Sequence, residues 1–562
     1  MTIIKSPLII LILFIYAVNA FSNDSETLFR AMDKELKRTM DVLSKEEKPP
    51  YFISLNVTDV ETVSISSRFG KLINSSDNDS RILDIDLRVG DYEFDNTHII
   101  RGNPFNFGGG AGTILLPLED DESTIRNAVW FAIDKKYRSA IERLDKAITN
   151  QAVKVKEDDE SADFSREKPV KYKGELSKIA INKSKWEEYT RSISAEFNKY
   201  PWILSSSVSF TGENKAKYFI STEGSKLEWY ETACRLFVSA STKSDDGMSL
   251  PLYKSYFSFT PDGLPSAETV MKDIERMVEL LSALRFAPLA ETFSGPAILS
   301  GEASGVFFHE IFGHRVEGHR EKDPNSSQTF KKSIDKKILP EFIDVVFDPT
   351  MNNLRGTELS GYYKYDDEGM PGKRVVTVEE GIFKNFLMSR SPIEGFNNSN
   401  GHGRRQAGYS AVSRQSNLIV ESKEAVSNKQ LKDMLKAEIK KQNKDYGLYF
   451  EEVSGGFTFT SRTIPNAFNV TPLVVYKVFP DDRPDELVRG VDLIGTPLMT
   501  FANIVAAADD MGIFNGICGA ESGGVPVSAC SPSLLVSTIE VQKKQKSQAK
   551  PPILSSPVAS GQ

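Results

Sequence analysis

Three of the five histidines in the chain fall within eleven residues, in the segment HEIFGHRVEGHR at 309–320. Its first six residues, His309-Glu310-Ile311-Phe312-Gly313-His314, form a HExxxH pattern. This is one residue longer than the HExxH in which two helical histidines bind zinc beside a glutamate. On a regular α-helix, residues i and i+4 stand about 400° apart and share a face, whereas i and i+5 stand roughly 500° apart, about 140° off it. The two imidazoles therefore converge only where the helix is locally distorted. A single π-turn, with its i→i+5 bonding, predicts such a convergence, and Gly313 stands where a permissive backbone helps. Val306, Phe307, Phe308, Ile311 and Phe312 make the segment apolar almost all round, and an unsatisfied imidazole pair is costly in such surroundings. These residue types at this spacing point to metal chelation.

A catalytic zinc needs a third protein ligand and keeps a fourth position open for water. His319, Glu317, His402, an acid of Asp366-Asp367-Glu368 and a cysteine are all candidates, and local spacing does not choose among them. Cys518 lies in a turn-rich stretch, GICGAESGGVPV at 516–527, and Cys530 in a more strand-like one. A Cys518–Cys530 disulfide is the alternative use of that pair. Arg404, Arg405 and His319 are candidate donors to a developing oxyanion.

The elements that must position these groups read as two kinds of structure. Glu26–Leu43 places Leu28, Phe29, Met32, Leu36, Met40 and Leu43 at helical spacing. A second helix is expected over Ser123–Asn150 and a third over Ser266–Leu284, where Ser266 is the cap and Val270, Ile274, Met277, Leu280 and Leu284 line one face. Strands are expected at Tyr51–Val57, Ile82–Val89, Ser205–Phe210, Lys217–Ser221 and Cys234–Ser239. The second half alternates short strands with Gly, Asn and Asp turns, at Arg374–Val378, Phe457–Thr460, Leu473–Val478 and Leu534–Val541. The fold class is α+β: a mixed N-terminal domain over 21–287, then a β-rich domain over 288–542 that carries the HExxxH helix. The Gly-rich stretch 102–112 lacks the spacing of a nucleotide-binding loop. Residues 154–178 are charged and read as a solvated linker or insertion, and 543–562 as a disordered tail.

The 562 residues are 40% apolar and 26% charged, ordinary values for a globular protein of more than one domain. A formal charge of −8 argues against a nucleic-acid partner, and three cysteines exclude a disulfide scaffold. Lys5 and the apolar run 7–18, ending in Val18-Asn19-Ala20, read as a secretory signal over residues 1–20. The run is short of the roughly twenty residues that span a bilayer, so no stable membrane anchor is expected after cleavage.

Several ordered segments resemble the TldD/PmbA family of metalloproteases. HEIFGHRVEG (309–318) is similar to its HExxxH helix with a trailing Glu-Gly, and YDDEGMPGKRVVTVEEGIF (365–383) to its Asp-Asp-Glu-Gly-x-Pro loop. GHGRR (401–405) resembles its Gly-Asn-Gly-Arg-Arg segment with His402 in place of Asn, and GVDLIGTP (490–497) and 516–536 resemble its C-terminal strands. The resemblance implies one zinc per chain held by His309, His314 and Cys518, with Glu310 as catalytic acid/base. It implies hydrolysis of extended or unfolded peptides, and a homodimer or a heterodimer with a related non-catalytic subunit. A signal segment departs from the cytoplasmic members and implies a secreted variant, periplasmic rather than extracellular. Two other readings of the function are a secreted scaffold or peptide-binding subunit without activity, and a metal-dependent amidase.

Overall fold

The computed structural model describes residues 25–100, 112–152, 159–458, 460–461, 468–495 and 501–544, with the isolated positions 550, 552 and 554. The signal segment, almost all of the Gly-rich stretch and nearly all of the expected tail lie outside the described residues. Among the described residues no helix is long and apolar enough to cross a membrane.

The first half is built on a seven-stranded sheet around four long strands, Lys71–Val89, Pro50–Arg68, Ser205–Ser221 and Lys226–Lys243, in that spatial order and antiparallel throughout. Two expected strands, at 205–210 and 217–221, are one continuous strand. The residues between them, Thr211 to Ala216, pair without a break against Asp59–Ser64 on one side and Tyr230–Arg235 on the other. Side chains alternate between the faces of a strand. On Pro50–Arg68 the buried Ile53, Leu55, Val57 and Ile65 all point to one face. That face is covered by two helix pairs. Helices α1 (Ser25–Leu43) and α2 (Glu122–Ala152) bury Leu28, Met32, Val129 and Ile133 at one end. Helices α3 (Lys183–Ala195) and α4 (Ala267–Phe286) bury Trp186, Ile193, Ile274 and Leu281 at the other. The Ser266 hydroxyl accepts from Thr269 N and starts α4 where the sequence places it.

The opposite face of this sheet meets the second half of the chain. Asn56 donates to the Asp367 carbonyl, Lys217 pairs with Asp367 at 3.0 Å, and Arg235 donates to the Asn515 carbonyl at 2.8 Å. Residues 159–165 belong to this junction and are largely packed, whereas most of 166–178 is exposed, as a solvated segment would be. Phe164 is buried under the Arg390 guanidinium, and Asp163 holds His98 and Lys322 in ion pairs. Charge in the sequence suggested solvent; at Asp159, Asp163 and Glu167 it meets a partner instead.

The second half contains two large sheets, besides two small two-stranded ones, among the described residues. In the six-stranded one the order ends Ile343–Phe347, Asn417–Ser422, Gly523–Ser531, Gly512–Ala520, so that 512–520 is an edge strand. In the other, Gly447–Thr458, Phe293–Leu299, Leu534–Lys543, Val491–Gly495 and Phe468–Val478 pair in sequence, and the last pairs back with the first, closing a five-strand ring. The helix Asn428–Lys441 packs outside this ring. It was not anticipated, although its signal is present: Ser427 and Gln430 form a capping box ahead of Leu431, Leu435 and Ile439.

Helix α5 (Gly301–Ile311) carries the first half of the HExxxH pattern and lies between the two sheets, with ten of its residues buried. The Ser300 hydroxyl caps it by accepting from Ala303 N. Close docking sets its position. A Cβ on Gly301 would stand 2.3 Å from Gly512 N, and one on Gly305 would stand 2.7 Å from the Ala529 carbonyl. Only glycine lets the helix axis approach the strands 512–520 and 523–531 this closely.

Candidate metal centre

The distortion that the HExxxH spacing demands is present, but it is not a π-turn. Helix α5 ends at Ile311. Phe312 turns to φ −114, ψ −55, and Gly313–Arg315 follow as one 3₁₀ turn. His309 stands on the last turn of the helix and His314 on the 3₁₀ turn, with ring centroids 4.9 Å apart and planes inclined by 76°. Ending the helix orphans its final carbonyls, and each is answered. Arg315 donates to the carbonyls of Glu310 at 2.7 Å and Ile311 at 3.2 Å, and the Gln415 amide donates to that of His309 at 3.3 Å. Gly313 serves space rather than an unusual φ. A Cβ there would stand 1.9 Å from Gln415 Oε1.

The third member of the cluster comes from the edge strand. Cys518 Sγ lies 3.4 Å from His314 Nε2, and the ligand atoms of His309, His314 and Cys518 all lie within 4.8 Å of one another. Zinc–nitrogen and zinc–sulfur bonds of about 2.0–2.3 Å place tetrahedral ligands roughly 3.3–3.8 Å apart. The His314–Cys518 pair already meets that spacing, and the third ligand needs at most a small shift. The chemistry of the donors agrees. Burial works to keep the Cys518 thiol protonated, yet the His314 and His309 imidazoles hold it well below its ordinary range. Burial works against charge on His314 as well, and the Cys518 and Glu317 charges overcome it and raise its pKa. Each group thus favours the charged form of the other, and a metal cation held here would take the place of the proton between them. His309 Nδ1 and Glu310 Oε2 are buried with no hydrogen-bond partner.

Glu317 is a candidate ligand that the structure places behind the cluster instead. Its Oε2 lies 3.2 Å from His314 Nδ1, the nitrogen turned away from Cys518. A carboxylate there orients the imidazole and strengthens it as a ligand. Arg320 and Arg414 flank it at 2.9 and 3.4 Å. Burial favours the neutral acid, but His314 and Arg320 hold Glu317 down at about 2. Arg414 also donates to the Cys518 carbonyl at 2.7 Å.

The other candidates lie apart from the cluster. His319 Nε2 bonds Glu521. His402 is buried between Asn400 and Ser416, and Asp366 accepts from the Met370 and Gly403 amides. The guanidinium of Arg404 donates to the Gln415 and Pro526 carbonyls, and that of Arg405 faces Asp84. Cys518 and Cys530 are both free thiols. They sit in adjacent strands, but Cys518 pairs with Val525 and Cys530 with Ile513, an offset of five residues or about 17 Å along the strand. That offset excludes the disulfide. The cluster opens on a cleft of about 590 Å³, lined also by Glu310, Phe457 and Ile517.

Residues 292–543 match the PmbA/TldA metallopeptidase C-terminal domain, and the cluster lies wholly within that segment. This C-terminal segment belongs to the TldD/PmbA family. Among curated members, the metalloprotease MJ0996 of Methanocaldococcus jannaschii is 25% identical over 327 residues, 58% of this chain and 67% of that one. The zinc metalloprotease TldD homolog of Saccharolobus solfataricus is 27% identical over 253 residues, 44% of this chain and 51% of that one. Two solved structures share the fold. They are a modulator-of-DNA-gyrase protein of Thermotoga maritima, at TM-score 0.58 and 16% identity, and TldE of Thermococcus kodakarensis, at 0.58 and 12%. Each covers 91% of this chain and is itself covered in full. Membership in this metallopeptidase family, with relatives named for a metal and one for zinc, agrees with a cluster of two imidazoles and a thiolate.

The residues that sequence reasoning missed are Arg315, Gln415, Arg414 and Glu521. Arg315 stands inside the histidine motif but nothing in the pattern marks its task, the other three lie far from the histidines in the chain, and a helix that ends inside its own motif gives no periodic signal.

Proposed function

We propose that the chain is a zinc-dependent peptidase acting on extended peptides. The observation that carries this reading is the convergence of His309, His314 and Cys518 within 4.8 Å on a cleft that Glu310 also lines. Zinc held by these three residues would supply Lewis-acid polarisation of a water molecule and of the scissile carbonyl. Glu310, whose Oε2 has no hydrogen-bond partner, takes the proton of the attacking water and returns it to the departing amine as the C–N bond breaks. Glu317 and Arg414 keep the His314 ring and the Cys518 backbone in register.

The shape of the cleft supports an extended substrate. Its two walls are strand edges. Strand 512–520 ends its sheet, and beyond Phe450 the strand 447–458 has one edge that pairs with no strand among the described residues. Unpaired backbone N–H and C=O groups at such an edge take up a peptide as an added strand. The apolar run at 7–18 supports export, and the family resemblance supports work in the periplasm as a homodimer or beside a related non-catalytic subunit.

Glu310→Gln is the decisive variant. It is expected to keep about one zinc per chain by elemental analysis and to lose at least ~100-fold in hydrolysis of an unstructured peptide. Retained hydrolysis would remove Glu310 from the mechanism. A zinc-free protein would favour the scaffold reading, and cleavage of non-peptide amides alone would favour the amidase.

A further inference from the structure

We infer that, given the peptidase reading above, the cleft admits only glycine or alanine at one substrate position within two residues of the scissile bond, and that the Phe514 ring enforces this limit. Side chains alternate between the faces of a strand, and residues paired across a sheet share a face. Phe514 pairs with Ala529, Gly516 with Val527 and Cys518 with Val525. These residues therefore stand on the face that presents the Cys518 thiol to His314. Helix α5 covers that face. The Ser304 and Ser531 hydroxyls meet there at 2.7 Å, and Val306 lines the cleft together with Phe514, Val527 and Ala529.

Gly516 brings no side chain to this face, yet the space over it is taken. A Cβ on Gly516 would stand 2.8 Å from Phe514 Cε1, so the ring lies over the glycine. Phe514 packs against the core that contains Val306 and Ala529, and Val306, Val527 and Ala529 are all buried. A large side chain entering here meets close-packed atoms that must be displaced. The other face of the strand differs. A Cβ on Gly519, the neighbour of Cys518, meets nothing within 4 Å. A peptide added to the free edge of 512–520 turns its side chains alternately to the two faces. The residue opposite Gly516 is confined by the Phe514 ring, and its two chain neighbours point to the other face. Discrimination thus comes from a clash with large side chains.

The test scans Leu, one position at a time, through an unstructured alanine–serine peptide, with the zinc-loaded protein and the cleaved bond located by mass spectrometry. Leu at one of the four positions nearest that bond is expected to lower its kcat/KM by about 10-fold or more. Leu at the immediate neighbours of that position is expected to cost no more than about 3-fold. Phe514→Ala is expected to restore most of the loss at that position alone, and Phe514→Leu, which keeps apolar packing, to restore part of it. Leu tolerated at all four positions overturns the size limit, as does a profile that both variants leave unchanged. Binding of the same peptides to zinc-loaded Glu310→Gln is measured alongside. Position-dependent loss of binding without hydrolysis by the wild type would sink the peptidase reading and leave the size limit standing. Equal binding of all the peptides without hydrolysis overturns both. The wild-type profile is read without any variant, so a poorly folded Phe514→Ala does not shield the size limit from the test.

Discussion

Arg414, wholly buried, donates to the Cys518 carbonyl oxygen at 2.7 Å and so fixes the backbone of a residue 104 positions away. The same guanidinium faces Glu317 at 3.4 Å and donates to Ser522 at 2.7 Å. One planar group thus ties the strand that brings the thiolate to the carboxylate that orients His314. Lysine carries the charge but not the fork. Arg414→Lys is expected to weaken zinc binding by roughly 10–100-fold, read by competition with a chromogenic chelator. An unchanged affinity would show that Cys518 is held by its strand alone.

Gly313 leaves room for Gln415, which in turn satisfies the His309 carbonyl. Gly313→Ala forces a Cβ into the Gln415 amide and leaves that carbonyl orphaned, at a cost of about 1–3 kcal/mol. Both a lower melting temperature and a lower zinc content are expected. Gln415→Ala in the Gly313→Ala background should recover part of the steric loss but not the hydrogen bond.

Arg390 meets Glu223 through two nitrogens at 2.8 Å each and donates to the Ser165 carbonyl, between the first-half sheet and the second half of the chain. Both side chains are largely buried. Breaking such a pair by removing one partner costs about 3–5 kcal/mol, because the other charge stays buried. Arg390→Ala should lower the melting temperature markedly. The double variant with Glu223→Ala should lose much less than the sum of the singles.

His402 is buried, and desolvation, aided by the nearby Arg404 charge, lowers its pKa to about 3. Its unfolded value is near 6.5. Between those values the unfolded chain holds a proton that the folded one does not, so this contribution to stability is complete above pH 6.5 and is lost as the pH falls toward 3. The slope from this one residue is about 1.4 kcal/mol per pH unit. His402→Asn should flatten the decline of stability between pH 6.5 and 4, measured by urea melts across that range. Equal slopes in the two proteins would show that His402 titrates alike in the folded and unfolded states.

The metal-binding pattern, the α4 cap at Ser266 and the apolar faces of α1 and α4 were readable along the chain, because each depends on residues within a few turns of one another. The same local reading misjudged the turn at Phe312. A helix that stops and a helix that bulges satisfy the same i, i+5 spacing, and the choice fell to Arg315 and Gln415, which answer the freed carbonyls. It also misjudged 159–165, where Asp163 finds Lys322 across the junction of the two halves.

By itself the sequence determined that His309, Glu310 and His314 travel together, and that strands and helices of given faces flank them. Only the tertiary structure decided which distant residue joins them. Cys518 follows His314 by 204 positions and reaches it because strand 512–520 ends its sheet beside α5, with Gly301 and Gly305 admitting the close approach. Periodicity tells which side of an element is buried. It does not tell what that side is buried against, since that depends on pairings between segments hundreds of residues apart.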